Sequence, residues 1–211
     1  QLVGEIGIDA LAGPSEVVII SDDTLSPKLA AIDLLAQAEH DEKAQSVLIT
    51  SDREYAAEVE KEVFGFLQNL KRREIASKSW KNYGAIVIVD SLKEGINLSN
   101  KIAPEHLQLC FRDADKYLNH VQNAGSIFVG LWSPEAVGDY ISGSNHVLPT
   151  NGSAKFSSSL SVFDFMKRTS ITKLDRKSFK VLGPATITLA NSEGLEAHSL
   201  SISERLKIMD E

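Results

Sequence analysis

A single cysteine, Cys110, occurs in the 211 residues, so no disulfide can close within the chain and no cysteine-rich metal site is available. No apolar run approaches the roughly 20 residues of a membrane-spanning helix, and no secretory leader pattern is visible. Basic side chains are outnumbered, with 22 Lys and Arg against 29 Asp and Glu and a net charge of −7. That balance argues against a broad nucleic-acid surface or an anionic-membrane surface. There is no G-x-G-x-x-G loop, no Walker loop and no nucleophile elbow, and no internal repeat or low-complexity tract. An initiator methionine is missing too: the opening "QLVGEIGIDALAGPSE" has neither a helix nor a strand signature of normal length. The reading is of an intracellular chain entered partway through a larger protein.

What is present is an ordinary globular composition, 43% hydrophobic and 24% charged. "EVVIISDD", "QSVLITSD", "GAIVIVDS", "HLQLCF" and "GSIFVG" are short apolar runs typical of strands buried on both faces. Between them lie helical patterns. Residues 26–41 offer Ser26 as N-cap and Pro27 at the first helical position. Residues 53–80 alternate charged and apolar groups at helical period, 92–102 form a short helix, and 113–124 another. Ser133 caps a further short helix at Pro134–Glu135. Strands alternating with helices predict an α/β fold. Its sheet is parallel-rich with helices on both faces, Rossmann-like but incomplete, and its sites are expected at the carboxyl ends of the strands. After Gly130 the chain turns to Gly, Ser, Asn and Pro with little period, and from Asp175 it is helical again, broken near Gly183-Pro184 and at Gly194. Three parts follow: a linker over 1–15, an α/β domain over 16–150 carrying the chemistry, and a loop and helical C-terminal arm over 151–211.

The histidines frame the candidate chemistry. Gln37 and His40 close "LLAQAEHD" three residues apart, on one helix face. An oxygen and an imidazole at that spacing can grip one metal ion; a polar pair at a helix end, where histidine suits the dipole, is the other reading. Glu105-His106 stand at the mouth of the fourth strand and suit an acid/base pair. Neighbours in a strand point to opposite faces, which gives the two different targets. Asp139, with Asn145 and His146 a few residues on, suits a metal or substrate loop, or a self-bonded turn. "AGPSE" is a turn into the first strand whose hydroxyl and N–H groups can hold a small polar ligand. His198 stands apart in the helical arm, His120 has no role, and Cys110 reads as a small buried hydrophobe.

In order along the chain, "GIDALAGPSEVVII", "DLLAQAEHD", "APEHLQL", "VGDYISGSNHVLPT", "FSSSLSVFDFMKRTS" and "SEGLEAHSLSI" closely resemble the histidinol dehydrogenase family. The likeness covers essentially the whole chain but only the C-terminal half of a family chain. It implies the NAD⁺-dependent, two-step oxidation of L-histidinol to L-histidine with a bound Zn²⁺, in the cytoplasm or an organelle such as a plastid. The family's zinc ligands match Gln37, His40, Asp139 and, from the partner subunit of a homodimer, His198. Its catalytic pair matches Glu105 and His106. Its substrate contacts match Ser15, Gln37, His40, His106, Asp139, Glu193 and His198, with Glu193 also supplied across the dimer. Its NAD contacts lie upstream of Gln1, so none falls in this chain and the isolated chain is expected to be inactive. Under this resemblance His106 takes the hydroxyl proton and Glu105 activates the water for the second oxidation. The alternatives are a non-catalytic zinc-binding dimerisation module and a zinc hydrolase on the same ligands.

Overall fold

The computed structural model describes residues 4, 6–8 and 12–210, without the side chain of Asp210. Seven of the fifteen residues of the expected linker, 1–3, 5 and 9–11, therefore lie outside the described residues. Contacts divide the chain into two compact units, Gln1–Met166 and Lys167–Glu211.

The first unit is a five-stranded, all-parallel sheet in the order β3-β2-β1-β4-β5. Its strands are β1 (Glu16–Ser21), β2 (Gln45–Thr50), β3 (Gly84–Ile88), β4 (His106–Cys110) and β5 (Ser126–Val129). This is the doubly wound order without a sixth strand among the described residues. Alternation sends Val17, Ile19, Leu48 and Cys110 to one face, under α1 (Pro27–Ala38), α2 (Arg53–Leu67) and α3 (Arg73–Tyr83). Val18, Ile20, Ile49, Leu107 and Leu109 face the other way, under Ile96 of α4 (Leu92–Ile102) and the 3₁₀ turn Ala114–His120. Both faces of the three central strands are covered, so these strands read as continuous apolar runs, while β3 and β5 at the edges are only half-buried.

Caps set the helix starts. The Ser26 hydroxyl accepts from Leu29 N–H at 3.4 Å, Asp52 from Glu54 and Tyr55, and Ser91 from Glu94. Four expectations change. The 53–80 pattern is two helices, because one helix of that length would run about 42 Å, twice the roughly 20 Å of a six-residue strand. The 113–124 segment winds only as a 3₁₀ turn. Its exit is drawn onto Asn100, whose side-chain oxygen accepts from Gln122 and Asn123 and whose NH₂ donates to the His120 carbonyl. Ser133 does not cap α5 (Glu135–Tyr140); Gln108 Oε1 accepts from Glu135 N–H instead.

The fourth change lies in the second unit, a hairpin of α6 (Arg176–Ser192) and α7 (Glu196–Asp210). Here α6 runs unbroken through Gly183-Pro184. A Cβ on Gly183 would sit 3.1 Å from Leu206 and 3.3 Å from Ile202, so the glycine admits α7 and packing overrides the local breaker. Gly194, at φ +71°, does end α6 in a left-handed turn, with Leu195 N–H donating to Ala190 O. No helix among the described residues is long and apolar enough to cross a membrane.

Candidate metal and acid–base site

The chemistry gathers at the amino edge of the sheet, not the carboxyl edge that an open parallel sheet leads one to expect. Helix α1 returns antiparallel to β1, so its last turn brings Gln37 and His40 down to where β1 and β4 begin. His40 lies just beyond the helix, its N–H donating to the Gln37 carbonyl at 3.2 Å in the tightened final turn. Ser15 precedes β1 at the same edge, its carbonyl accepting from Gln45 N–H.

Glu105 and His106 converge rather than diverge. Glu105 lies ahead of the strand, where alternation is not yet imposed, and both residues engage Glu16. Glu105 Oε2 accepts from Glu16 N–H at 2.9 Å, and Glu105 N–H donates back to Glu16 Oε2 at 3.4 Å. The second Glu16 oxygen accepts from Asn151 N–H. His106 Nδ1 is 2.9 Å from the Glu16 carbonyl. A carbonyl only accepts, so Nδ1 carries the hydrogen and Nε2 keeps its lone pair. The two residues stay close, with Glu105 Oε2 at 3.6 Å from His106 Nδ1.

Helix α5 supplies Glu135 and Asp139, four residues apart on one face. Asp139 Oδ2 is 4.0 Å from His40 Nε2, and its Oδ1 is 3.7 Å from His106 Nε2 and 2.9 Å from His146 Nδ1. Two groups of possible ligands share this carboxylate: His40, Glu135 and Asp139, and His106, Asp139 and His146. Of the loop alternatives, His146 turns to Asp139. Asn145 forms the self-bonded turn, accepting from Val147 N–H and donating to Leu160 O. The Gly13 N–H of the Gly-Pro-Ser turn is already taken by Thr150 Oγ1 at 2.7 Å.

Burial shapes the electrostatics. It pushes Glu105 up to about 7, with hydrogen bonding from the Glu16 N–H opposing the rise. It pushes Glu135 up to about 8, reinforced by the charges of Asp139 and Glu105. It raises Glu16 and lowers His106, which therefore stays neutral near pH 7. Six buried side-chain polar atoms among the described residues lack a hydrogen-bond partner. Five of them are here: both amide atoms of Gln37, His106 Nε2, Glu135 Oε2 and Asp139 Oδ1, the last lying 2.9 Å from His146 Nδ1 but outside hydrogen-bond geometry. Buried polar groups are rarely left so, and five together mark a place built for a ligand. Imidazole, carboxylate and amide-oxygen donors suit a borderline divalent cation such as zinc.

Gln37, His40, Glu105, His106, Ser15 and Asp139 thus share one edge of the first unit. Glu193, at the end of α6, and His198, in the first turn of α7, are exposed residues of the second unit. Sequence reasoning missed Glu16, Glu135 and Gln108 and left His146 open. The i, i+4 spacing of Glu135 and Asp139 was the available signal. So was the acid at the mouth of both β1 and β4, which the sheet makes neighbours.

A profile of histidinol dehydrogenase matches residues 1–206. The chain belongs to the histidinol dehydrogenase family. It is 54% identical over 205 residues to histidinol dehydrogenase of Bradyrhizobium diazoefficiens and 50% over 207 residues to that of Gluconobacter oxydans, covering 97% and 98% of this chain and 48% of each relative. The crystal structure of histidinol dehydrogenase from Elizabethkingia anophelis matches with a TM-score of 0.86 at 39% identity, over 96% of this chain and 47% of that one. The chain thus spans about half the length of the relatives it matches.

Proposed function

We propose that this chain is the zinc- and substrate-holding half of an enzyme that oxidises L-histidinol to L-histidine with NAD⁺, in the cytoplasm or an organelle such as a plastid. The observation that carries the reading is the cluster of orphaned buried donors around Asp139, beside a neutral His106. Gln37, His40 and Asp139 would hold the zinc, with His198 of the partner subunit as a further ligand. The bound ion supplies positive charge and a fixed template for the substrate's imidazole and amine. Ser15 and, across the dimer, Glu193 add polar contacts to the substrate.

The Glu16 carbonyl holds His106 in the tautomer whose Nε2 can accept the proton of the substrate hydroxyl; a bound nicotinamide would supply the hydride acceptor. The product aldehyde needs water at its carbon before a second hydride can leave. Glu105, raised by burial towards neutrality, is suited to take that water's proton. The homodimer is supported by large apolar side chains left open in each unit: Phe156, Phe163 and Phe165 in the first, Val181, Leu189 and Ile208 in the second.

The test is elemental analysis of the zinc-equilibrated chain beside a Gln37→Ala/His40→Ala double variant. Loss of zinc with an unchanged circular dichroism spectrum is expected; unchanged metal content rejects the site. L-Histidinol binding to the zinc-loaded chain, read by calorimetry, separates this reading from a non-catalytic zinc-binding dimerisation module, which the open apolar faces would also suit. Because nicotinamide contacts are assigned to none of these residues, the chain alone is expected to leave NAD⁺ unreduced.

A further inference from the structure

A polar pocket of about 520 Å³ opens between the last turn of α4 and the segment that leads from the 3₁₀ turn to β5. Both elements pack on the sheet face opposite α1, so the pocket stands apart from the site built on Gln37, His40 and Asp139. Asn100 frames it. Its Oδ1 accepts from Gln122 N–H at 2.7 Å and Asn123 N–H at 3.2 Å, and its NH₂ donates to the His120 carbonyl at 2.8 Å. The Asn100 carbonyl accepts from the Asn123 NH₂ at 2.9 Å. These bonds fix the floor and spend the Asn100 amide internally. The side chains of Asn97, Lys101, Asn119 and Gln122 line the pocket as well, with no hydrogen-bond or ion-pair partner among the described residues. The His120 ring beside them leans on Tyr117. No acid and no aliphatic or phenyl side chain lines it.

Each free primary amide offers two donors and an acceptor, the mixture that hydroxyl groups require, and Lys101 adds three donors and a positive charge. With no carboxylate to oppose it, the ammonium repels a metal cation, and with no apolar lining the pocket does not reward a hydrophobic ligand. The carboxyl end of α4 carries partial negative charge, which works against a bare anion and favours hydroxyl donors. We infer that this pocket binds a hydroxyl-rich ligand with one anionic group, of the sugar phosphate class, with Lys101 on the anion and Asn97, Asn119 and Gln122 on the hydroxyls. Its volume lies within the range of small-ligand pockets. The inference stands independently of the dehydrogenase reading.

The experiment is calorimetric titration of the metal-free chain with ribose 5-phosphate, beside ribose and inorganic phosphate, for wild type, Lys101→Met, Asn119→Ala and Gln37→Ala/His40→Ala. Lys101 and Asn119 are exposed, so their variants keep the fold, which circular dichroism checks. Saturable binding of ribose 5-phosphate, tighter than that of ribose or phosphate, is the expected result. It should weaken roughly tenfold in Lys101→Met and in Asn119→Ala, as loss of one bond to the ligand does, and stay unchanged in the double variant. Absence of binding overturns the site, and so does equal binding in wild type, Lys101→Met and Asn119→Ala. Phosphate binding as tightly as the sugar phosphate overturns it too, because the amides would then contribute nothing. Binding lost only in Gln37→Ala/His40→Ala moves the ligand to the metal edge, which overturns this pocket and leaves the proposed function standing.

Discussion

Cys110 and Tyr55 meet around Ser21 at the far edge of the sheet from the acids. Ser21 Oγ is 3.2 Å from the Tyr55 hydroxyl and donates to the Cys110 carbonyl. Burial lifts the Cys110 thiol from 9.0 to about 11 and the Tyr55 phenol from 10.0 to about 12. Each group therefore ionises more readily in the unfolded chain. Their stabilising contribution is complete below pH 9 and is lost as pH rises through 9 to 11 for the thiol and 10 to 12 for the phenol. At the top of its window each loss is roughly 3 kcal/mol. Urea unfolding between pH 8 and 11 should show this decline, and Cys110→Ala or Tyr55→Phe should flatten it. In the folded chain at pH 8, iodoacetamide should leave Cys110 unmodified. Its burial was legible from "HLQLCF" alone. The placing of Gln37 and His40 at one end of α1 was legible as well, because it depends only on spacing along a single turn. Glu16 was not, since its partners lie 89 and 135 residues away, the first brought in by the β1–β4 register and the second by a returning loop.

Among elements, Gln108 ties α1, which carries Gln37 and leads into His40, to α5, which carries Asp139. It stands two residues after His106 on the same face of β4. Its NH₂ donates to Asp33 of α1 at 2.8 Å, and its oxygen accepts from the first N–H of α5 at 3.3 Å. Gln108→Leu removes both bonds and leaves Asp33 and Glu135 N–H without these partners, at a cost of about 1–3 kcal/mol. It should also weaken zinc binding roughly tenfold, as loss of an outer support does, measured by competition with a chromophoric chelator. Unchanged affinity would show that the helices are held without it. The strands and α1 were readable because apolar runs and caps are local. The bend between α2 and α3, the uninterrupted α6 and the distal cap on α5 were not, because each answers to a neighbour rather than to its own sequence.

For the whole molecule, the placement of the site follows from direction. In a parallel sheet each helix returns to the strand starts, and here β1, β4 and the end of α1 all deliver side chains there. The Thr150–Asn151 segment closes over them, through Gly13 N–H to Thr150 Oγ1 and Asn151 N–H to Glu16 Oε1. At the opposite edge the turn from β3 to α4 is exposed, held by Asp90 N–H to Glu94 and Glu94 N–H to Ser91. A flexible insert between Asp90 and Ser91 should cost about 1 kcal/mol for the lost Asp90 N–H to Glu94 bond, keep the Ser91 cap and leave zinc content unaltered by elemental analysis. The fold thus keeps the candidate site and this exposed turn on opposite rims. A reporter or affinity tag spliced into that turn can follow ion uptake without standing in the way of it.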